Sequence, residues 1–394
     1  MRKIRIIYLT ILFITLQIHC KAQTAKADFS LVPGTVIDHS PASSEKYIGS
    51  PSIVILPNGD YIASHDHFGP GGKRGKYHET LIFRSIDRGK SWKKLTLLED
   101  QFWSTLFYHH GVLYIMGTKG RYVDVVIRKS TDGGNTWTDP VDENTGLLTE
   151  GPYHCAPVPV VEHNGRIWRA MEYRPNGESH QSLMMSAPTE ADLLKRSSWT
   201  FSNKLKVDEK WHFGKMNKWI EGNAVVTPKG KIVNIIRVSI KGEHSLAAMI
   251  NVSDDGKIQS FNPEKGFIDL PGGTGKKFTI RFDTESGKYW SLVNWIQPMD
   301  LKHLRHNDAG ALRNTVALVS SENLRSWTIE RVILHHPDFK KHGFQYSDWV
   351  FDGNDIIAVI RTAYDDGLGG AANRHDANLM TFHRIVDFRN MCVE

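Results

Sequence analysis

Arginines, carboxylates, histidines and tyrosines recur at matching places in this chain, always at the same ends of paired apolar runs. Glu221 and Asn223 stand where the run NAVVTPKGKIV begins, Tyr346 and Asp348 where WVFDGNDIIAV begins, and His154 just before APVPVVEHNGRIW. His65, Asp66, Arg169, Glu172, Tyr173, Arg237 and Arg361 stand where second apolar runs end. His39, in DHSPAS, lies just upstream of the first such pair. An arginine grips a carboxylate through two parallel N–H bonds, and histidine exchanges protons near neutral pH. Gathered together, these types suit binding and cleavage of an anionic sugar. Each is also a residue type that serves as a plain structural hydrogen-bonder, because buried polar groups are normally paired.

What must position them is a repeat. Strand–turn–strand patterns occupy 52–66, 105–118, 156–173, 223–238, 278–294 and 347–364. Each joins two β-rich runs through a Gly- or Asn-containing turn, which is a hairpin signal. A third apolar run follows each pair: TLIFRS, DVVIRKS, SLMMSA, LAAMINVS, TVALVSS and NLMTFHR. After the third run comes a turn that reads SIDRGKSW at 85–92 and STDGGNTW at 130–137, with weaker copies at 252–261 and 320–327. In Ser-x-Asp-x-Gly-x-x-Trp the Asp bonds back to local N–H groups, Gly accepts positive φ and Trp packs over the turn. The pattern predicts an all-β chain forming a single β-propeller of four-stranded antiparallel blades. Six blades are counted, seven are possible, and the N-terminal stretch 29–38 closes the ring. A short helical turn is expected at 190–196.

Alternating strand direction puts first-strand starts, second-strand ends and second-to-third loops on one face, the face of the candidate site. The hairpin turns and the Asp turns lie on the other, which sets aside His109, His110 and His163. His335, His336 and His342 fall in a connection between units.

The chain opens with basic residues followed by an apolar run, Ile6 to Ile18, of signal-peptide proportions. Cleavage after Ala22 is expected, giving an exported domain over 23–394; lipid attachment at Cys20 is less favoured. Removing Arg2, Lys3, Arg5 and Lys21 takes the formal net charge from +6 to 6 − 4 = +2. That balance does not call for nucleic acid, and Cys155 and Cys392 are too few for a disulfide framework. No later segment reaches membrane-spanning length, no His-Glu-x-x-His motif is present, and no metal or cofactor is expected. A monomer is expected.

The Ser-x-Asp-x-Gly-x-x-Trp turns, known as Asp-boxes, resemble those of the sialidase-like propellers across nearly the whole chain. True sialidases carry an Arg-Ile-Pro at the first inner strand; aligned on Pro51, the arginine position here is Gly49. Arg237 and Arg361 would be remnants of the other carboxylate-binding arginines, and a Tyr–Glu nucleophile pair is not identifiable from the sequence. The stretches around 36–70, 151–173 and 344–385 are more similar to secreted bacterial propellers that degrade uronic-acid polysaccharides. That resemblance implies an α-L-rhamnosidase releasing rhamnose from glucuronic acid, with His39 as the catalytic histidine. A lyase on the same architecture would use His154, Tyr173 and Arg237. The substrate-binding set is His65, Asp66, Arg169, Glu172, Glu221, Asn223, Arg237, Tyr346, Asp348 and Arg361. An ulvan-type lyase, an exo-sialidase and a non-catalytic glycan-binding propeller are the alternatives.

Overall fold

The computed structural model describes residues 26–72, 77–305 and 308–390, and these are built almost wholly from β-strands. The leader over 1–22, Cys20 and Cys392 lie outside the described residues. Every expected strand–turn–strand pair is an antiparallel hairpin. The pairs are Ser52–Ile55 with Tyr61–Phe68, Phe102–His109 with Val112–Thr118, and Val161–His163 with Arg166–Tyr173. They continue with Met216–Val226 and Ile232–Ile240, Thr279–Asp283 and Lys288–Val293, and Gly343–Asp352 and Asp355–Ala363. A third strand adds to each: Glu79–Ser85, Val123–Ser130, Gln181–Pro188, Leu246–Val252, Thr315–Ser321 and Leu379–Ile385.

These meanders fall into five sheets, of which the eight-stranded one holds two. Those two share Leu147–His154, which pairs with Val123–Ser130 and then, through Tyr153 and His154, with Tyr173 and Glu172. In the last sheet the outer strand is the N-terminal Thr35–His39, antiparallel to Leu379–Ile385 as expected. That pairing covers an edge that would otherwise expose unpaired backbone groups.

Polar side chains tie each strand meander to the next. Leu106 N donates to Ser52 Oγ at 3.0 Å, Val158 N to Thr105 Oγ1 at 3.1 Å, and Gly222 N to Glu172 Oε1 at 3.0 Å. Ile280 N donates to Asn223 Oδ1 at 3.1 Å and Thr279 Oγ1 to Ser347 O at 3.0 Å. The series returns to its start through Ser52 Oγ, which donates to Asp348 Oδ2 at 2.7 Å. Between sheets the core is apolar; Ile37, Ile48, Ile53, Tyr61, Val359 and Phe382, for instance, pack the first sheet against the last.

The Asp turns are structural. Asp132 Oδ1 accepts from Asn135 N and Thr136 N at 3.0 Å each, Ser130 Oγ accepts from Gly134 N, and Trp137 Nε1 donates to Gly134 O. The turn after Ser85 repeats the pattern through Asp87, Gly89 and Trp92. No α-helix forms at 190–196; Leu193 and Leu194 enter the core instead, with Trp199 Nε1 donating to Leu193 O. Among the described residues no helix is long and apolar enough to cross a membrane.

Candidate active site

Three first strands carry a bulge near their start, where two residues oppose one on the partner strand. The pairing skips between Phe102 and Thr105, between Ile220 and Asn223, and between Gln345 and Asp348. The first bulged residues, Trp103, Glu221 and Tyr346, have φ of 52°, 63° and 57°. Bulges re-aim side chains beside active sites, and left-handed backbone in bulky residues is stored strain that clusters at functional positions. Here the bulges bring together residues far apart in sequence. Tyr346 Oη donates to Glu221 Oε1 at 2.7 Å, and Arg237 Nη1 lies 2.8 Å from Glu221 Oε2.

Arg237 comes from the strand paired with that of Glu221, its register partner being Ile220. Its contact with Glu221 is an ion pair rather than an aligned hydrogen bond, so Nε and Nη1 remain buried donors without hydrogen-bond partners. Arg361 Nε is in the same condition. Buried unsatisfied donors are costly and mark a place where a ligand completes the site. Arg361 lies 5.0 Å and Arg313 6.0 Å from the Tyr346 ring centre. Arg313 is oriented by Gly310 O and by Gln345 Oε1 at 2.6 Å. Beside them opens a cleft of ≈ 930 Å³, lined among others by Lys218, Arg237, Arg313, Arg374 and His375.

Burial lifts the Tyr346 phenol above its ordinary value, and Glu221 adds to this while the surrounding arginines oppose it. Burial works against the Arg237 charge, but Glu221, Tyr346 and Glu172 outweigh it and hold its pKa above normal. Burial and the nearby Arg313 push Arg361 down to about 10, with Tyr346 pulling the other way. The arginines therefore stay charged at neutral pH, and the phenol stays protonated until a base takes its proton.

A second cluster adjoins the first. His154 Nδ1 lies 2.7 Å from Glu172 Oε2, and its ring packs edge-on to Trp103 at 4.2 Å and to His180 at 5.3 Å. Tyr122 leans on both histidines and carries Arg174 over its face at 4.7 Å. Burial pushes Glu172 up to about 7 and His154 down to about 3, so His154 is neutral near neutral pH while Glu172 titrates there.

The remaining sequence-predicted residues lie elsewhere. His39 sits against Asp366, Nε2 to Oδ2 at 2.9 Å, beneath Phe29, with no contact to the Glu221 group. Tyr173 packs on Tyr153 under Lys204. Arg169, Asn223 and Asp348 have no exposed surface and bind backbone of neighbouring segments, so they hold the frame, although Arg169 Nε and Asp348 Oδ1 have no hydrogen-bond partner. His65 is equally buried, between Asp38 and Asp66 O. Asp66 binds Ser50 N and Trp103 N, which fixes the Trp103 bulge. Its carboxylate also fills the space at Gly49: a Cβ there would lie 1.5 Å from Asp66 Oδ1. No side chain, least of all the arginine of true sialidases, fits that position without moving Asp66.

Of the residues selected from the sequence, Glu221, Arg237, Tyr346 and Arg361 lie together, with a Tyr346–Glu221 hydrogen bond that the sequence did not reveal. Arg313, Tyr122, His180 and Arg374 were missed. All four lie in second-to-third-strand connections, on the face already singled out, so the signal was present but the residues were not weighed.

Solved structures that share this fold include several glycosidases. An α-L-arabinanase of Penicillium chrysogenum superposes with a TM-score of 0.55 at 15% identity, over 91% of this chain and 98% of that one. An α-L-arabinofuranosidase of Fusarium graminearum gives 0.60 at 11% identity, over 91% and 98%. Trypanosoma rangeli sialidase gives 0.59 at 13%, over 87% of this chain and 56% of the longer sialidase. At such identities the likeness is one of fold. No family model and no curated protein sequence matches the chain.

Proposed function

We propose that the protein is a glycoside hydrolase for a carboxylated sugar, a uronic-acid-containing glycan, with Tyr346 and Glu221 at the bond that is broken. The carrying observation is the 2.7 Å Tyr346–Glu221 contact beside the buried, unpaired Nε donors of Arg237 and Arg361. Glu221 takes the phenol proton and the Tyr346 oxygen bonds to the anomeric carbon as the glycosidic C–O bond breaks, the departing oxygen taking a proton from water in the cleft. A water then attacks the anomeric carbon, its proton going to solvent, and Glu221 returns the phenol proton as the Tyr346–sugar bond breaks. Arg237, Arg361 and Arg313 hold the carboxylate, and Tyr122 with Trp103 offers ring faces to a neighbouring sugar. Rhamnose–glucuronate is the linkage that the sequence resemblance favours. His39, bound to Asp366, is a weaker candidate for the chemistry than Tyr346. A lyase would need His154 as base, and its burial against Glu172 disfavours that role.

In the same reading the meanders are the blades of a six-bladed propeller closed by Thr35–His39, exported as a monomer after loss of 1–22. Incubation with a rhamnose–glucuronate disaccharide, ulvan, arabinan and a sialoside tests the function. Free sugar released by the wild type and not by Tyr346→Phe supports it. New ultraviolet absorbance from an unsaturated uronate would make the protein a lyase, and binding without turnover would make it a glycan-binding propeller.

A further inference from the structure

We infer that Asp38, His65 and His67 form a site for a divalent transition metal, of which zinc is the type, at the seam where the N-terminal strand joins the first sheet. One ligand atom from each of the three lies within 4.8 Å of the others. His65 and His67 are two residues apart on Tyr61–Phe68 and so share a face of that strand. Asp38 reaches them from Thr35–His39, whose pairing with Leu379–Ile385 is broken by a bulge between Val36 and Asp38.

The hydrogen bonds around the histidines make this more than a cluster. His65 Nδ1 lies 3.0 Å from Asp66 O, and a carbonyl only accepts, so Nδ1 carries the proton. Its Nε2 then presents a lone pair to Asp38 Oδ2, another acceptor, at 2.8 Å. Two acceptors at that distance require either a shared proton or a metal ion held by both. In His67 the same logic applies: Nδ1 donates to Glu79 Oε1 at 3.1 Å, leaving Nε2 free to ligate. One histidine braced by a backbone carbonyl and the other by a carboxylate is the outer-shell pattern of metal-bound imidazole. The His65 side chain is fully buried and that of His67 9% exposed, while Asp38, at 26%, leaves a way in for the ion and a water as fourth ligand. Ligands on one tetrahedral zinc sit roughly 3.3 Å apart, given bonds of about 2.0–2.1 Å, so small rotamer shifts suffice. The metal would clasp the N-terminal strand to the first sheet, next to Asp66 and through it the Trp103 bulge. The rival source of the missing cation is a second proton on His65, giving a buried imidazolium–carboxylate pair.

The test uses the mature chain, purified without a histidine tag and dialysed against metal-free buffer. Titration with ZnCl2 is followed by metal analysis and thermal melting, and substitution with cobalt is followed by its visible absorbance. About one equivalent of zinc per chain is expected, with a melting temperature that falls by at least about 3 °C on chelation. Asp38→Asn and His67→Ala should each lose the stoichiometric zinc and melt alike with and without chelator. His65→Ala is avoided because its full burial puts folding at risk. Overturning results are a wild type without stoichiometric zinc or a zinc-dependent melt, which establishes the protonated pair. Zinc retained by both variants but lost in His110→Ala would also overturn the inference, by placing the metal at His109, His110 and Glu162 instead.

Discussion

The Tyr346 hydroxyl donates to Glu221 at 2.7 Å across 125 residues of sequence, and each partner sits on a left-handed bulge of a different first strand. If this contact activates the phenol, Tyr346→Phe should fold normally and lose turnover by at least about a hundredfold. Glu221→Gln should do the same, since it keeps the contact but cannot accept the proton. Steady-state kinetics beside a melting curve check this; a Tyr346→Phe enzyme as active as wild type would reject the assignment.

Arg237 pairs with Glu221 through Nη1 at 2.8 Å and has a buried Nε without a hydrogen-bond partner. Arg237→Ala should weaken turnover of the acidic substrate by orders of magnitude, because a bidentate carboxylate contact in a dry site contributes several kcal/mol, about a factor of ten per 1.4. Wild type and variant should act on a carboxyl-reduced substrate at similar, low rates. A gap that persists on the reduced substrate would show that Arg237 serves Glu221 rather than the carboxylate.

Gly49 is closed by Asp66. Gly49→Ala should lower stability by about 1–3 kcal/mol through overpacking, and Gly49→Arg by more, without creating sialidase activity. Denaturant melts and a sialoside assay decide this; a stable, sialidase-active Gly49→Arg would contradict the packing.

Asp132 holds its turn through four backbone and side-chain donors, far from the cleft in the topology. Asp132→Ala should cost about 1 kcal/mol of stability and leave turnover per folded molecule unchanged. Activity lost at unchanged stability would move that face of the protein into the mechanism.

Asp352 accepts from Tyr61, Arg88 and Arg384, and although burial opposes it, these bonds pull its pKa down to about 2. A carboxylate whose folded pKa is depressed adds stability that is fully present above its unfolded value near 3.8. That stability is lost as pH falls through the folded value. The wild type should therefore lose stability between about pH 4 and 2 more steeply than Asp352→Asn, as urea melts across that window will show. Parallel curves would remove Asp352 from the acid response.

The repeat was legible because a strand pair announces itself locally: alternating apolar residues, a Gly turn, then an Asp turn whose bonds close within four residues. The site was legible only as a neighbourhood. Topology alone sends first-strand starts and second-strand ends to one face, so Glu221, Arg237, Tyr346 and Arg361 could be picked out. The same rule also admitted Arg169, Asn223 and Asp348, which the structure turns into the seams between sheets.

The sequence by itself determined the strand order, the hairpins and the pairing of the N-terminal strand with the last sheet. Those depend on patterns read within a few residues. Tertiary structure decided which side chains meet. Asp38 faces His65, and because neighbouring residues on a strand point to opposite sides, His39 is carried to Asp366 and away from the cleft. Bulges turned Glu221 toward Tyr346, and Asp66 filled the place of a missing arginine. A one-residue shift in a strand reverses every side chain after it. No local pattern in the sequence records where such a shift occurs.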